Sequence, residues 1–267
     1  MEYIRKLHRV LAFESKRPQF NESTSVGKIG VAGFVLGVLA GLSYATLVLS
    51  VIFVLFLSAD ANSYTHSLAV VMIQWSAYMS LLCTFHFLEF FVTAMYQPDN
   101  ASYDSFVINH SFHYTLAFVA SLVEFWVETA LFGAAKRRPI VILVGLVLMI
   151  GGQTVRTLAM YTCAENFAHL IMDNGEGHRL VTVGIYSYFA HPSYVGWFYW
   201  SIGTQLLLCN PVCAPLYVYA SWAFFHERIP YEEQVLFRCY REEYRQYRRS
   251  THRGIPFISS PLLKNVM

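Results

Sequence analysis

Lys28–Ser58 reads KIGVAGFVLGVLAGLSYATLVLSVIFVLFLS, a run whose only charge is its first residue. One membrane crossing needs about 20 apolar residues, so this run spans with length to spare. Two forms fit it: one long tilted helix, or a tight hairpin broken at Gly41-Leu42-Ser43-Tyr44. Working outward, the same character continues. No Lys or Arg occurs anywhere from Ile29 to Ala135, and no water-facing surface of that length does without cations. The whole chain of 267 residues is 55% hydrophobic and 13% charged, roughly half the charge of a soluble domain. The expected fold class is therefore all-α: a polytopic integral membrane protein.

Further spans follow at Ser67–Tyr96, Phe106–Phe132 and Pro139–Tyr161. Val195–Phe225 is a second long apolar run, but Asn210-Pro211 and Pro215 interrupt it, which argues two short helices folded as a hairpin. Met1–Ser25 is basic, with Ile4, Leu7, Val10 and Leu11 at helical spacing, the pattern of an interfacial amphipathic helix. Cys163–Ser193 is mixed in character and turns at Asp173–Gly177. Glu232–Arg249 reads as a water-facing amphipathic helix with Leu236, Tyr240, Tyr244 and Tyr247 on one face, ended by Gly254 and Pro256. The first apolar run starts late and has no small-residue cleavage site, so no cleavable signal is expected. The five cysteines lack C-x-x-C or paired metal spacing and read as packing residues or free thiols.

Cation placement tests the topology. Six of the nineteen cations precede Ile29 and eight lie from Arg228 onward, so both ends belong in the cytosol and the number of crossings is even. A single first span gives six. That count puts Lys136-Arg137-Arg138 on the far side, against the positive-inside rule. A hairpin in the first run repairs this loop but gives seven crossings and exports the C-terminal cations, unless another crossing restores even parity at eight. Six to eight crossings is the range. Within the spans, His86 with Glu89 and Glu124 with Glu128 are ionisable groups at helical spacing. Such groups are functional by default, and hydrogen bonding between helices is the alternative. Arg156 near the cytosolic end of its span is expected to pair or pack.

Two motifs gather polar chemistry. Tyr186, His191-Pro192-Ser193-Tyr194 and Gly196 lead into an apolar run, and Pro192 suits the first turn of a helix. His191 should stand at that helix mouth, where unpaired N–H groups face outward. Arg228 and Glu232 follow just beyond the far end of that run. They share a helical face at i, i+4, and the hairpin between the motifs carries them back to His191. Either motif alone reads as a buried histidine or a solvated ion pair; a shared hairpin joins them.

In this order the motifs resemble the isoprenylcysteine carboxyl methyltransferase family. Its signature runs approximately L-V-T-x-G-x-Y-x-x-x-R-H-P-x-Y-x-G-W, then R-x-x-x-E-E and E-Y-x-x-Y. Here these stand as Leu180-Val181-Thr182, Gly184, Tyr186 and His191-Pro192-Ser193-Tyr194-Val195-Gly196-Trp197, then Arg228 with Glu232-Glu233, and Glu243-Tyr244 with Tyr247. The resemblance covers roughly Gly152 to Pro256. One residue departs: Ala190 stands where the family has Arg.

The resemblance implies methyl transfer from S-adenosylmethionine, leaving S-adenosylhomocysteine, to the carboxylate of a C-terminal farnesylated or geranylgeranylated cysteine. It implies a multi-pass protein of the endoplasmic reticulum with about eight membrane helices and a cytosol-facing site, using no metal and no nucleic acid. By position, His178, Arg179, Leu180, Val181, Tyr186, His191, Pro192, Ser193, Tyr194 and Glu232 would line the cofactor, and Arg228 would meet the substrate carboxylate; Arg228, His191 and Glu232 are the expected catalytic group. The chain then divides into a transmembrane bundle (residues 1–162) and a catalytic region (163–267) of loop, hairpin (192–226) and C-terminal cytosolic helix.

The chemistry fits these residues independently. A carboxylate is already nucleophilic at neutral pH, so what a protein must supply is alignment and exclusion of water. An arginine orients carboxylates, and Tyr194, Trp197 and Tyr199 offer rings to a cationic sulfonium. The soluble pattern of a Gly-rich loop after a strand is absent. Competing readings are an NADPH-dependent sterol reductase, a phospholipid methyltransferase, and a transporter or receptor. The last leaves Arg228 and Glu232 without a purpose.

Overall fold

In the computed structural model residues 22–57, 64–108, 111–136, 138–167 and 179–258 are described. The basic N-terminal segment, His178 and the Asp173–Gly177 turn lie outside them. Among the described residues the regular elements are helical: α1 Val26–Ile52, α2 Tyr64–Tyr96, α3 Phe112–Phe132, α4 Pro139–Cys163, α5 Pro192–Leu207 and α6 Cys213–Ser250. The first four are long and apolar enough to cross a membrane. Their outer faces display Phe34, Leu42, Leu131 and Leu143, side chains that lipid solvates and water does not. This is an integral membrane protein.

The hairpin considered for the first apolar run does not form. α1 passes through Gly41–Tyr44 unbroken and continues as a π-helical turn, Phe53–Leu57. Lipid explains it: a hairpin there would strip backbone N–H and C=O groups of partners, whereas a continuous helix satisfies them all. Glycine and serine are poor helix formers in water, but that preference loses to this demand.

α4 and α5 pack through glycine. A Cβ on Gly145 would fall 2.2 Å from the backbone nitrogen of Leu207, and one on Gly152 would fall 2.6 Å from the Gly196 carbonyl oxygen. Gly196 and Gly203 answer from α5 with equally close approaches to Arg156 and Met149. In each helix the two glycines lie two turns apart on one face, so each presents a stripe without side chains. The backbones therefore meet directly. This contact fixes the height of the α5 N-terminus against α4.

At the opposite end of α5 the chain turns through residues 208–212. Asn210, 1% exposed, donates to the Ser121 carbonyl at 3.0 Å and to Gln205 at 3.0 Å. Lys136 donates to the carbonyls of Leu208 and Cys209 and to Asn210 Oδ1. Both oxygens of Glu124 accept from the first amides of α6, Val212 and Cys213, at 2.6 and 2.7 Å. A cation thus closes one helix C-terminus and an anion the next N-terminus, each matching the local dipole. Glu124 joins α3 to α6 here, and Glu128 pairs with Lys136 at 2.7 Å.

α6 differs from expectation. The hairpin's second helix does not end at residue 226, the bound expected for the hairpin; Pro230 is accommodated, and the helix continues into the polar segment expected as a separate helix over Glu232–Arg249. It breaks instead at Arg241, where φ is 51° and ψ −121°. Leu236 and Tyr240 therefore precede the break, and Tyr244 and Tyr247 follow it on a segment that doubles back. That segment is held by Arg248 on Glu233 and by Tyr247 on the carbonyls of Tyr186 and Phe189.

Candidate functional site

The site is assembled on the α5 mouth. Gly184, at φ +60°, lets the chain turn tightly beside Thr162, and Gly184–Ser187 forms a 3₁₀ turn. Phe189 pairs with His252 in an isolated parallel bridge: the Ala190 amide donates to the His252 carbonyl at 3.3 Å, and the His252 amide donates to Tyr188 at 2.8 Å. His191 then takes the N-cap position and Pro192 the first turn. The helix mouth is where the residues placed it.

Ser193 is pinned from below. Arg156 lies across Glu89, with Nε to Oε1 at 2.5 Å and an N–H to Oε2 at 2.6 Å, while its third nitrogen donates to Ser193 Oγ at 3.0 Å. All three side chains are buried. A bidentate guanidinium–carboxylate pair is rigid, so α2 and α4 jointly set the position of the first turn of α5. Sequence reasoning expected Arg156 to pair and left Glu89 open; the structure joins them. His86 serves the frame, with Nδ1 2.8 Å from the Phe106 carbonyl.

Above this floor, the rings of His191 and Tyr194 stack at 5.6 Å with 6° between planes. Arg228 Nε donates to the Tyr194 hydroxyl at 2.8 Å, and its guanidinium carbon sits 5.5 Å over the same ring. One turn further along α6, Glu232 Oε2 lies 3.8 Å from His191 Nδ1. Glu233, 0% exposed, lies 3.7 Å from His191 Nε2 and 2.5 Å from Arg248 Nε. The two ends of the hairpin do meet.

A cavity of about 160 Å³ opens beside them. Arg179, Leu180, Val181, Tyr186, His191, Pro192, Ser193, Tyr194 and Glu232 all line it; Arg228 does not, and is tied to the site through its bond to the Tyr194 hydroxyl. Of the three rings expected to face a sulfonium, Tyr194 alone lines the cavity. Tyr199 donates to Gly254 instead, and Trp197 packs edge-on against Phe225. Leu236, Cys239, Tyr240, Tyr244 and Tyr247 add the α6 side of the wall, and Ala190 lies in it beside His191. Sequence reasoning saw most of these as an amphipathic face without giving them a duty. The signal was the stripe Glu232, Leu236, Cys239 and Tyr240 at i, i+4, i+7, i+8, which begins on a site residue and is too apolar to face water. Ala190 is buried among Leu180, Tyr186, Tyr244 and Tyr247.

The phenols here are held neutral. Burial, reinforced by Glu233 and Glu232, pushes Tyr244 well above the ordinary tyrosine range. Burial raises Tyr247 as well, against the pull of Arg248. Tyr247 uses its proton to donate to the Tyr186 and Phe189 carbonyls at 2.9 and 3.3 Å, clamping the loop to the returning C-terminal segment.

The sequence matches the profile of the isoprenylcysteine carboxyl methyltransferase (ICMT) family over residues 143–238. It is 45% identical over 195 residues to protein-S-isoprenylcysteine O-methyltransferase of Xenopus laevis, covering 72% of this chain and 68% of that one. The chain belongs to this family. The Homo sapiens enzyme of the same name is 43% identical over 203 residues, covering 76% of this chain and 69% of the human one. A solved structure of the eukaryotic intramembrane Ras methyltransferase ICMT superposes with a TM-score of 0.75 at 39% identity, covering 97% of this chain and 84% of that one. The family member described here is thus a membrane methyltransferase, and the reductase, phospholipid methyltransferase and transporter readings fall away.

Proposed function

We propose that this protein moves a methyl group from S-adenosylmethionine to the α-carboxylate of a C-terminal farnesyl- or geranylgeranylcysteine. The observation that carries the proposal is the contact between Arg228 and Tyr194: a guanidinium that does not itself line the cavity is bonded to the hydroxyl of a ring that does. A carboxylate held at Arg228 would then lie beside Tyr194, with its attacking oxygen turned toward a methyl donor in the cavity.

The cavity suits such a donor. His191 Nε2 and Glu232 Oε2 are buried polar atoms without a hydrogen-bond partner, an arrangement that is costly unless a ligand completes it. Glu232 would accept from the polar part of the cofactor, and the Tyr194 face would stabilise positive charge. When bound, S-adenosylmethionine supplies a methyl activated by a sulfonium. Everything else falls to the chain. Arg228 orients the carboxylate without gripping both oxygens, because the attacking lone pair must stay available. Tyr194 sets the angle of Arg228, the Arg156–Glu89 pair holds the α5 mouth, and the apolar walls of α5 and α6 exclude water and accept the prenyl chain.

We read α1 to α4 and the α5–α6 hairpin as six crossings, with both ends, the loop before α5 and the site on the cytosolic face of the endoplasmic reticulum. The unbroken α1 supports the lower end of the six-to-eight range. Residues 1–162 then form the bundle and 163–267 the catalytic region. The decisive assay supplies radiolabelled S-adenosylmethionine and N-acetyl-S-farnesylcysteine to the reconstituted protein. A base-labile methyl ester on the acceptor is expected, and its absence with intact protein would refute the proposal.

A further inference from the structure

Ala190 leaves the cavity wall beside His191 with a methyl group where the motif it resembles carries a guanidinium. It is 6% exposed and cannot balance charge. Glu233 stands nearby as a fully buried carboxylate, 3.7 Å from His191 Nε2. A buried carboxylate needs a counter-charge, and removing that partner is far costlier than the pair is worth.

Arg248 meets this need from elsewhere in the chain. It is 3% exposed, and while Nε donates to Glu233 at 2.5 Å, a second nitrogen donates to the Thr251 carbonyl at 3.2 Å. On a straight helix the two residues would stand about 22 Å apart along the axis. The break at Arg241 removes that distance and turns the segment back. Immediately beyond Thr251, His252 forms the backbone bridge to Phe189 and Ala190. The Arg248 guanidinium and the residue 190 amide are thus bonded to consecutive carbonyls, those of Thr251 and His252, and residue 190 directly precedes His191, which Glu233 faces.

We propose that Arg248 is a positioning residue: it supplies from the C-terminal segment the counter-charge for Glu233, keeps that carboxylate against His191 in the cavity wall, and is interchangeable with an arginine at position 190. Its effect on the cofactor rests on the function proposed above; the interchange itself does not. The two positions should then show sign epistasis. Ala190→Arg alone crowds two guanidinium groups around one carboxylate and is harmful. In an Arg248→Met background the same substitution restores the missing charge and is beneficial.

The test uses the full chain reconstituted in lipid nanodiscs, as wild type, Arg248→Met, Arg248→Lys, Ala190→Arg and the double variant Ala190→Arg/Arg248→Met. Thermal midpoint, KM for S-adenosylmethionine and KM for N-acetyl-S-farnesylcysteine are measured. Arg248→Met should lower the midpoint and raise the cofactor KM about tenfold or more, with the acceptor KM changed less than about threefold, the scale of a lost charged hydrogen bond. Arg248→Lys should fall between, keeping charge but losing the second donor. The double variant should exceed both single variants in midpoint and recover most of the cofactor KM. Additive losses in the double variant would overturn the proposal, as would an Arg248→Met protein indistinguishable from wild type. If Arg248→Met yields no folded protein, recovery of folded protein by Ala190→Arg in that background is the same test. If wild type binds no S-adenosylmethionine, the proposed function fails, while the midpoints still decide the interchange.

Discussion

Lys136 Nζ lies 2.7 Å from Glu128 Oε2, with the lysine side chain 1% exposed. This pair takes one of the three cations at Lys136-Arg137-Arg138 out of the conflict that cation counting raises there. A buried, paired ammonium that also caps the carbonyls of Leu208 and Cys209 does not act as a free cation. The positive-inside rule concerns cations that stay in water. Lys136 should be withdrawn from the count. Lys136→Met should therefore leave topology unchanged in a glycosylation- or cysteine-accessibility map and instead lower stability. Loss of one partner from a buried pair costs about 3–5 kcal/mol, and Glu128→Gln should do less because that side chain is 21% exposed. An inverted topology in the Lys136→Met protein would contradict this account.

Glu232 lines the cavity, whereas Arg228 does not and is bonded to the Tyr194 hydroxyl, so their variants should separate. Arg228→Ala should raise the acceptor KM or lower kcat/KM by about 10- to 100-fold, the range for a lost charge-assisted hydrogen bond, with cofactor affinity nearly unchanged. Glu232→Ala should do the reverse, weakening cofactor binding in a calorimetric titration. Tyr194→Phe removes only the hydroxyl that accepts from Arg228 and should cost a few-fold in acceptor use. Were both charged variants to damage both affinities equally, the division of labour would be wrong.

Glu89 and Arg156 act at a distance from the cavity, through Ser193. Glu89→Gln leaves a buried guanidinium without its anion, a loss of about 3–5 kcal/mol. It also frees the turn that carries His191 and Tyr194. Thermal stability and cofactor affinity should fall together, whereas Ser193→Ala should lose only the 3.0 Å hydrogen bond from Arg156 and leave stability nearly intact. A Glu89→Gln protein with wild-type melting would show that the pair contributes little.

The fold class was legible because hydropathy and missing cations are properties of segments, and a segment can be read without its neighbours. The helix mouth at Pro192 was legible for a similar reason, since proline acts locally on its own backbone. What escaped was pairwise. Glu89 and Arg156 lie 67 residues apart, and nothing in either helix names the other. The break at Arg241 is set by what Arg248 and Tyr247 bind, so the local sequence, a good helix former, pointed the wrong way. Tyr199 and Trp197 had the right chemistry for a cation but face other partners. Helix continuity through Gly41 shows the converse case, where lipid overrode a local breaker signal.

The glycine contacts between α4 and α5 offer the sharpest structural test. A Cβ on Gly152 would lie 2.6 Å from both the Gly196 carbonyl oxygen and the Trp200 amide nitrogen, and backbone atoms in packed helices have nowhere to retreat. Real side chains do not approach so closely, so even alanine must push the helices apart. That shift would carry Arg156, one turn along α4, away from Ser193 and lift the α5 mouth off its floor. Gly152→Ala should therefore lose cofactor binding as well as stability, and Gly152→Val should fail to accumulate as folded protein. Gly151, the adjacent residue, has nothing within 4 Å of its Cβ position, so Gly151→Ala is the matched control. It should melt as wild type or slightly higher, because alanine favours the helix by about 1 kcal/mol. Equal behaviour of the two alanine variants would show that α4 and α5 do not meet backbone to backbone.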